Sequence, residues 1–222
     1  MNTPLVSCLM VTKNRVKLAR RAVECFARQT WTNKELVIID DGEEDYGPLV
    51  EEYRGRCTIH YHKYVNDTGM RVGGLRNVSL ERANGEYCIQ WDDDEWYDAK
   101  RIEVQMESLL RQGLDVITLF STIMHLDTPE YLEHPYRSNL RRGIPGTILH
   151  RKTPVRYPDG CLGEDSIYLD DLRKAYKVGL VDVPHSHLFF RCFHGKNSWD
   201  YNHFFKKLKY TFRDKLSWFV AR

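Results

Sequence analysis

Four consecutive acids, Asp92-Asp93-Asp94-Glu95, follow the apolar run from Tyr87 to Trp91 and are closed by Trp96. Adjacent like charges repel, and withdrawing them from water raises the cost further. A hard divalent cation would compensate, since magnesium and manganese take carboxylate and phosphate oxygens. A solvated acidic turn capping the next helix is the second reading, because negative charge is favourable at a helix N-terminus. Two further polar clusters, Thr12–Asn14 and Asp40–Asp41, also close apolar runs. About seventy residues beyond the acidic run stands Gly163-Glu164-Asp165-Ser166, which suits a helix N-terminal cap.

The elements that must position these residues read as alternating strand and helix. Leu5 to Val11 is a short apolar strand, and Val16 to Gln29 has the helical period. Strands follow at 35–40 and 57–64, with a short helix at 49–53 between them. A helix at 75–83 leads to the strand at 87–91. Apolar strands separated by helices predict an α/β fold, a Rossmann-like and mostly parallel sheet covered on both faces. Ligands of such sheets sit at the carboxyl ends of the strands, where the three polar clusters fall. Further along, a helix at 101–111, a strand at 116–120, a strand at 146–150 and a helix through Tyr176 are predicted. One or two strands lie within 179–191. Residues 125–142 are polar, contain Pro129 and Pro135, and read as a long loop or lid.

With 222 residues the chain can bury a sizeable core, as one domain or a core with a smaller lobe. A net charge of +2 argues against a dedicated nucleic-acid binder. No stretch reaches the roughly 20 apolar residues that span a bilayer, and the N-terminus does not read as a secretory signal. The six cysteines are far apart and form no CxxC pair, which suggests reduced thiols. A cytoplasmic protein is the expectation.

Four blocks of sequence resemble the family-2 glycosyltransferases. They are Val6-Ser-Cys-Leu-Met-Val-Thr-Lys-Asn-Arg15 with its helix ending in Arg28-Gln-Thr-Trp31, and Glu35-Leu-Val-Ile-Ile-Asp-Asp-Gly42. Leu75-Arg-Asn77 with Ala83-Asn-Gly-Glu-Tyr-Cys-Ile-Gln-Trp-Asp-Asp-Asp94 is the third, and Gly163-Glu-Asp-Ser166 the fourth. The resemblance implies a GT-A fold: one catalytic domain over 1–200, with a nucleotide-sugar half (1–98), an acceptor-side half (99–200) and an amphipathic helix at 201–222. It implies an inverting transfer from a nucleotide-diphosphate sugar, commonly of uridine, to a glycan or other hydroxyl acceptor, with Mn2+ or Mg2+ as cofactor. Thr12, Asn14 and Arg15 would lie on the donor side. Asp41 would contact the base, Arg71 would lie near base and diphosphate, and Asp92 or Asp93 would bind ribose. Asp94 would coordinate the metal, with His194 of an HGxNxW-like stretch a second ligand or a donor to the diphosphate. Asp165 would be the general base, with Glu164 beside it.

The chemistry has use for acids in two places. One set holds the cation that stabilises a departing diphosphate, and another takes the proton of the attacking hydroxyl. His60 with His62, and His185 with His187, resemble metal pairs, although strand alternation alone produces such spacing. Gly69–Gly74 reads as a flexible loop that brings Arg71 near the donor, since it is neither a Walker sequence nor a dinucleotide fingerprint. The tail alternates an apolar stripe (Phe204, Leu208, Phe212, Leu216) with lysines. Packing on the core and contact with an anionic membrane surface both fit it. A sugar-nucleotide pyrophosphorylase would carry a glycine-rich loop after its first strand, where this chain has Thr12-Lys-Asn-Arg15. A non-catalytic nucleotide-sugar binder on the same fold is the third reading.

Overall fold

The computed structural model describes residues 3–64, 69–197, 199–206 and 208. Strand β1 (Val6–Thr12) leads into α1 (Val16–Ala27), and β2 (Lys34–Asp40) into α2 (Gly47–Glu52). Next come β3 (Thr58–Lys63), α3 (Val72–Arg82) and β4 (Tyr87–Gln90). A short β5 (Trp96–Tyr97), α4 (Arg101–Gln112), β6 (Val116–Leu119), β7 (Ser121–Leu126) and β8 (Tyr136–Asn139) follow. The chain continues through β9 (Leu149–Arg151), α5 (Glu164–Ala175), β10 (Val178–Val181) and β11 (Phe189–Phe193).

Seven strands form the main sheet in the order β10-β6-β9-β4-β1-β2-β3. All its pairings are parallel except those of β9, which runs antiparallel between β4 and β6. Residues of both predicted halves therefore interlock in one sheet. Strand alternation divides the core. Val6, Cys8, Met10, Leu36 and Ile38 pack with Phe26 of α1 and Ile102 and Met106 of α4. Leu9, Val37 and Ile39 pack on the other face with Leu75 of α3 and Tyr168 and Leu172 of α5. Both faces are covered, so the strands read as continuous apolar runs, and each buried large side chain contributes about 2 kcal/mol.

A second sheet, β5-β11-β7-β8, stands apart from the first. The stretch predicted as a lid is bounded by strands: β7 runs to Leu126 and pairs antiparallel with β8. Its inward residues Met124, Leu126 and Tyr136 are buried with Phe193, Phe204 and Leu208, while the solvent face supplies the polar character that suggested a loop. Residues 201–206 are helical, and the Tyr136 hydroxyl donates to the Phe204 carbonyl at 2.7 Å. Phe204 and Leu208 thus pack as the apolar stripe expects; the remainder of the predicted tail helix, including Phe212, Arg213 and Leu216, lies outside the described residues.

Two other expectations change. His185 and His187 are in a 3-10 segment (Val183–Leu188), not a strand. Pro184 near its start fixes φ and lacks a ladder donor. Gly73 and Gly74 belong to the first turn of α3 instead of a loop. A Cβ on Gly73 would stand 1.8 Å from the Pro158 carbonyl oxygen, so this helix meets the 155–163 segment backbone to backbone. Among the described residues no helix is long and apolar enough to cross a membrane. All six cysteines are unpaired.

Candidate active site

Beneath the acidic run lies an aromatic foundation. Trp91 is fully buried and donates from its indole to the Ala22 carbonyl at 3.0 Å; its ring stacks on Tyr97 at 3.9 Å between centroids. The fully buried Arg101 guanidinium lies 5.2 Å from the Trp91 ring and 4.6 Å from that of Tyr97, and donates to the Gln90 carbonyl at 3.0 Å. Burial lowers its pKa. The Tyr97 hydroxyl donates to the Asp92 carbonyl at 2.9 Å, which ties the turn after β4 to the second sheet.

The three aspartates have different partners. Asp92 Oδ1 accepts from Arg76 at 2.8 Å and from Gln90 at 3.2 Å. Asp93 is buried; its Oδ2 accepts from the Thr12 hydroxyl at 2.5 Å, and Arg15 lies 3.5 Å from its Oδ1. Burial, with the neighbouring Asp94 charge, pushes the Asp93 carboxyl up to about 7. Asp94 Oδ2 receives Arg15 at 3.1 Å and faces His194 Nε2 at 3.1 Å. Burial works to raise Asp94, but the His194 hydrogen bond and the Arg15 charge outweigh it and hold the carboxyl below its ordinary value. Glu95 is buried and pushed well above the usual range by burial; it accepts from the Cys192 N–H at 2.6 Å.

His194 is set by the loop after β11: its N–H donates to Asn197 Oδ1 at 2.8 Å, and Asn197 Nδ2 donates to the Cys192 carbonyl at 2.9 Å. On the opposite wall Glu164 and Asp165 occupy the first turn of α5 behind Gly163, whose φ of 76° is in the left-handed region. Asp165 Oδ1 accepts from the Ser166 N–H at 2.7 Å, but the N-cap position is held by Gly163 and no side chain caps α5 as the sequence suggested. Arg76 also reaches Glu164, at 3.2 Å, and so bridges the two acidic groups. Burial raises the Glu164 carboxyl, with the Arg76 charge opposing.

The acids and arginines of these walls line one cleft of about 480 Å³; His194 itself is off its wall. Arg15, Arg76, Asp92, Asp93, Asp94, Glu164 and Asp165 are on its wall. The volume suits a small-molecule site. Thr12 stands just behind, linking Asp93 to the Tyr46 hydroxyl at 2.6 Å. Asn14 has a φ of 52°, and its side-chain oxygen accepts from the Glu43 and Glu44 N–H groups at 2.6 and 3.1 Å. It builds the turn between β1 and α1. Asp41 pairs with Lys13 at 3.0 Å, away from the cleft wall. Arg71 is exposed at the start of α3 and also stands off that wall. Arg76, further along the same helix, does line the cleft, with Arg15 and Arg191; its only sequence signal is its place in the Leu75-Arg-Asn77 block.

His60 pairs with the buried Glu35 at 3.1 Å. His185 and His187 have their rings 6.2 Å apart, outside the cleft. Among the described residues no three His, Cys, Asp or Glu side chains are grouped to hold a metal by themselves. Asp94 and His194 offer two donors.

A largely parallel sheet with acids gathered at its strand ends defines an α/β protein with a ligand crevice at that edge. The profile of glycosyl transferase family 2 matches residues 7–170, and the chain belongs to that family. EpsH of Bacillus subtilis, which carries a glycosyltransferase name, is 29% identical over 108 residues, 49% of this chain and 31% of EpsH. WcaA of Escherichia coli K12, named a colanic acid biosynthesis glycosyl transferase, is 34% identical over 104 residues, 46% of this chain and 37% of WcaA. The matched region thus spans about a third of these relatives. TarS of S. aureus, solved with UDP-GlcNAc, superimposes with a TM-score of 0.72 at 16% identity, over 87% of this chain and 60% of TarS. The mannosyltransferase PcManGT of Pyrobaculum calidifontis, solved with GDP-Man and Mn2+, gives 0.61 at 13% identity, over 82% and 55%. These likenesses show that the fold is shared.

Proposed function

We propose that this chain is an inverting, metal-dependent glycosyltransferase that moves a sugar from a nucleotide-diphosphate donor, with uracil as the base, to an acceptor hydroxyl. One observation carries the reading: the acidic triplet after β4 and the Glu164–Asp165 pair, distant in sequence, face each other across one cleft. Family membership and a neighbour solved with a uridine donor support it.

The residues fit a divalent cation. Asp94 Oδ2 already gathers one guanidinium and one imidazole, so it is a carboxylate oxygen placed to neutralise positive charge. Mg2+ and Mn2+ take one or two protein ligands beside substrate phosphates, so Asp94 with His194 is a sufficient set. Ligation through His194 Nε2 requires the ring proton on Nδ1, at the expense of the weak 3.4 Å contact with the Lys196 N–H. When bound, the cation supplies Lewis-acid stabilisation of the departing diphosphate.

The side chains of the cleft divide the remaining work. Asp165 accepts the proton of the acceptor hydroxyl as that oxygen attacks the anomeric carbon and the bond to the diphosphate breaks. A single displacement inverts the configuration. Arg15 and Arg76 place positive charge near the leaving phosphates. Asp92 or Asp93 accepts from ribose, and Asp41 and Arg71, which stand off the cleft wall, serve the base side.

Asp165→Asn tests the roles. Donor binding should persist while transfer falls by about a hundredfold or more, and the wild-type product should show the inverted anomer by NMR. Full turnover in the variant, or a retained configuration, would sink this mechanism.

A further inference from the structure

Two glycines stand on the wall of the cleft, Gly146 and Gly163. Gly163 needs its left-handed φ of 76° to open α5. Gly146 has no such need: it lies in the 3-10 turn Pro145–Thr147, and its φ is outside the left-handed region. Packing does not demand a glycine there either. A Cβ on Gly146 would stand 3.5 Å from Asp92 Oδ2, 3.7 Å from Phe189 Cζ and 3.9 Å from Gln90 Nε2, all ordinary contact distances. Gly73, by contrast, has the Pro158 carbonyl in the way. Where any L-residue can adopt the backbone conformation, glycine weakens a fold relative to alanine, because it gives the unfolded chain more freedom. Neither the backbone nor the core accounts for the missing methyl of Gly146. Its open side is the cleft.

The turn that carries Gly146 is held from behind. The Thr147 carbonyl accepts from Gln105 Nε2 at 2.8 Å, the Thr147 hydroxyl donates to the Ile144 carbonyl at 2.6 Å, and the Leu119 N–H donates to Thr147 Oγ1 at 2.9 Å. The buried Arg101 guanidinium reaches the Gly146 carbonyl itself at 3.4 Å. The space before Gly146 is therefore a fixed one, and two kinds of surface face it. Asp92 Oδ2 accepts from Gln90 at 3.1 Å and, as a carboxylate oxygen, has capacity for a second donor. Phe189 contributes an apolar ring edge. Arg76 ties Asp92 to Glu164, the neighbour of Asp165, so this space adjoins the span between the acidic triplet and the opposite wall.

We infer that Gly146 is a specificity-determining residue for the donor sugar, and that its missing side chain admits an acetamido substituent on the sugar ring. The inference rests on the glycosyltransferase reading, in which the sugar lies between the diphosphate at Asp94 and the attacking hydroxyl at Asp165. An acetamido group matches both surfaces: its N–H donates to Asp92 Oδ2 and its methyl covers the Phe189 ring edge. A hydroxyl in the same place satisfies the carboxylate and leaves the ring edge bare. A methyl on residue 146 would fill the volume that the larger group needs. In this arrangement Asp92 serves the sugar and Asp93 the ribose.

The test is calorimetric titration of the full chain, in the presence of Mn2+, with UDP and with two matched pairs of donors: UDP-N-acetylglucosamine against UDP-glucose, and UDP-N-acetylgalactosamine against UDP-galactose. The members of each pair differ only in carrying an acetamido group or a hydroxyl. In at least one pair the acetamido donor should bind about tenfold tighter or more, the discrimination expected of a small apolar group in a fitted pocket. Gly146→Ala should erase that ratio by weakening the acetamido donor, while UDP and the hydroxyl donor keep their affinities. Its melting temperature should equal or exceed that of the wild type. No acetamido preference in either pair, equal weakening of both members, or a lower melting temperature would overturn the assignment. UDP separates the two levels. Bound UDP with no acetamido preference refutes the role of Gly146 alone, whereas a chain that binds neither UDP nor any of the four donors removes the functional reading beneath it.

Discussion

Removing the Arg76 charge should expose how the two acidic walls of the cleft are held together. Arg76 donates to Asp92 at 2.8 Å and reaches Glu164 at 3.2 Å, with only 12% of its side chain exposed and 8% of that of Glu164. Arg76→Met keeps an apolar stem near Tyr157, 5.8 Å from the present guanidinium, and deletes the charge. Two carboxylates then lose their shared cation. Breaking a buried pair by removing one partner costs about 3–5 kcal/mol; Asp92 retains some water and Gln90, so about 3 kcal/mol is expected at pH 7. The dependence on pH has a definite sign. Burial already raises the Glu164 carboxyl above its ordinary value, and loss of Arg76 raises it further. An acid with a raised folded pKa destabilises above its unfolded value, and the penalty vanishes as pH falls below it. At pH 5 the Glu164 share of the deficit cannot exceed about 1 kcal/mol, given 1.36 kcal/mol per unit above an unfolded value near 4.3. Urea unfolding at both pH values measures this, and Glu164→Gln in the same chain should restore part of the loss at pH 7. A deficit under about 1 kcal/mol at pH 7, a deficit unchanged at pH 5, or a double variant weaker than the single would refute the reasoning.

Three further outcomes follow from the same geometry. His150 is fully buried with Nε2 facing the Tyr168 hydroxyl at 3.0 Å, and burial lowers its pKa to about 4. It therefore stabilises the fold above about pH 6.5, and up to about 3 kcal/mol is lost as pH falls toward 4; His150→Gln should flatten that part of the stability curve, and an unchanged slope would contradict the assignment. Asp159 Oδ1 accepts from the Arg71 and Gly74 N–H groups at 2.8 and 3.2 Å, and Asn77 exchanges two 2.8 Å bonds with the Tyr157 backbone, so the segment leading to Asp165 is clamped to α3. Asp159→Ala should lower kcat for donor hydrolysis several-fold with little change in donor affinity, and Asp159→Asn, which keeps the acceptor oxygen, should restore it; equal losses in both would mean that the clamp has no such role. Gly73→Ala should destabilise by more than about 1 kcal/mol in thermal unfolding, because the Pro158 carbonyl leaves no room for a Cβ; a neutral result would show that the two backbones part readily.

The central sheet was legible because its strands are buried on both faces. Leu36 to Ile39 form an unbroken apolar run that ends at Asp40, and such runs with helices between them admit few arrangements. The second sheet was not legible. Trp96–Tyr97 is too short to carry a period, and β8 presents polar residues to solvent, so Tyr136–Asn139 read as loop. Gly73 and Gly74 suggested a flexible loop because close backbone approach leaves no mark in a single sequence. In the cleft, adjacent acids announced themselves through their mutual repulsion. Arg76 and Arg101 did not, since an arginine on a helix reads as solvated until its neighbours are known.

Calorimetric titration of the full chain with a panel of nucleotide-diphosphate sugars, with and without Mn2+, tests the central claim most directly. At least one donor should bind, more tightly with the metal, and Asp94→Ala should abolish the metal-dependent part. If no donor binds with metal present, or if Asp94→Ala binds a donor with undiminished metal dependence, the account of this cleft is wrong.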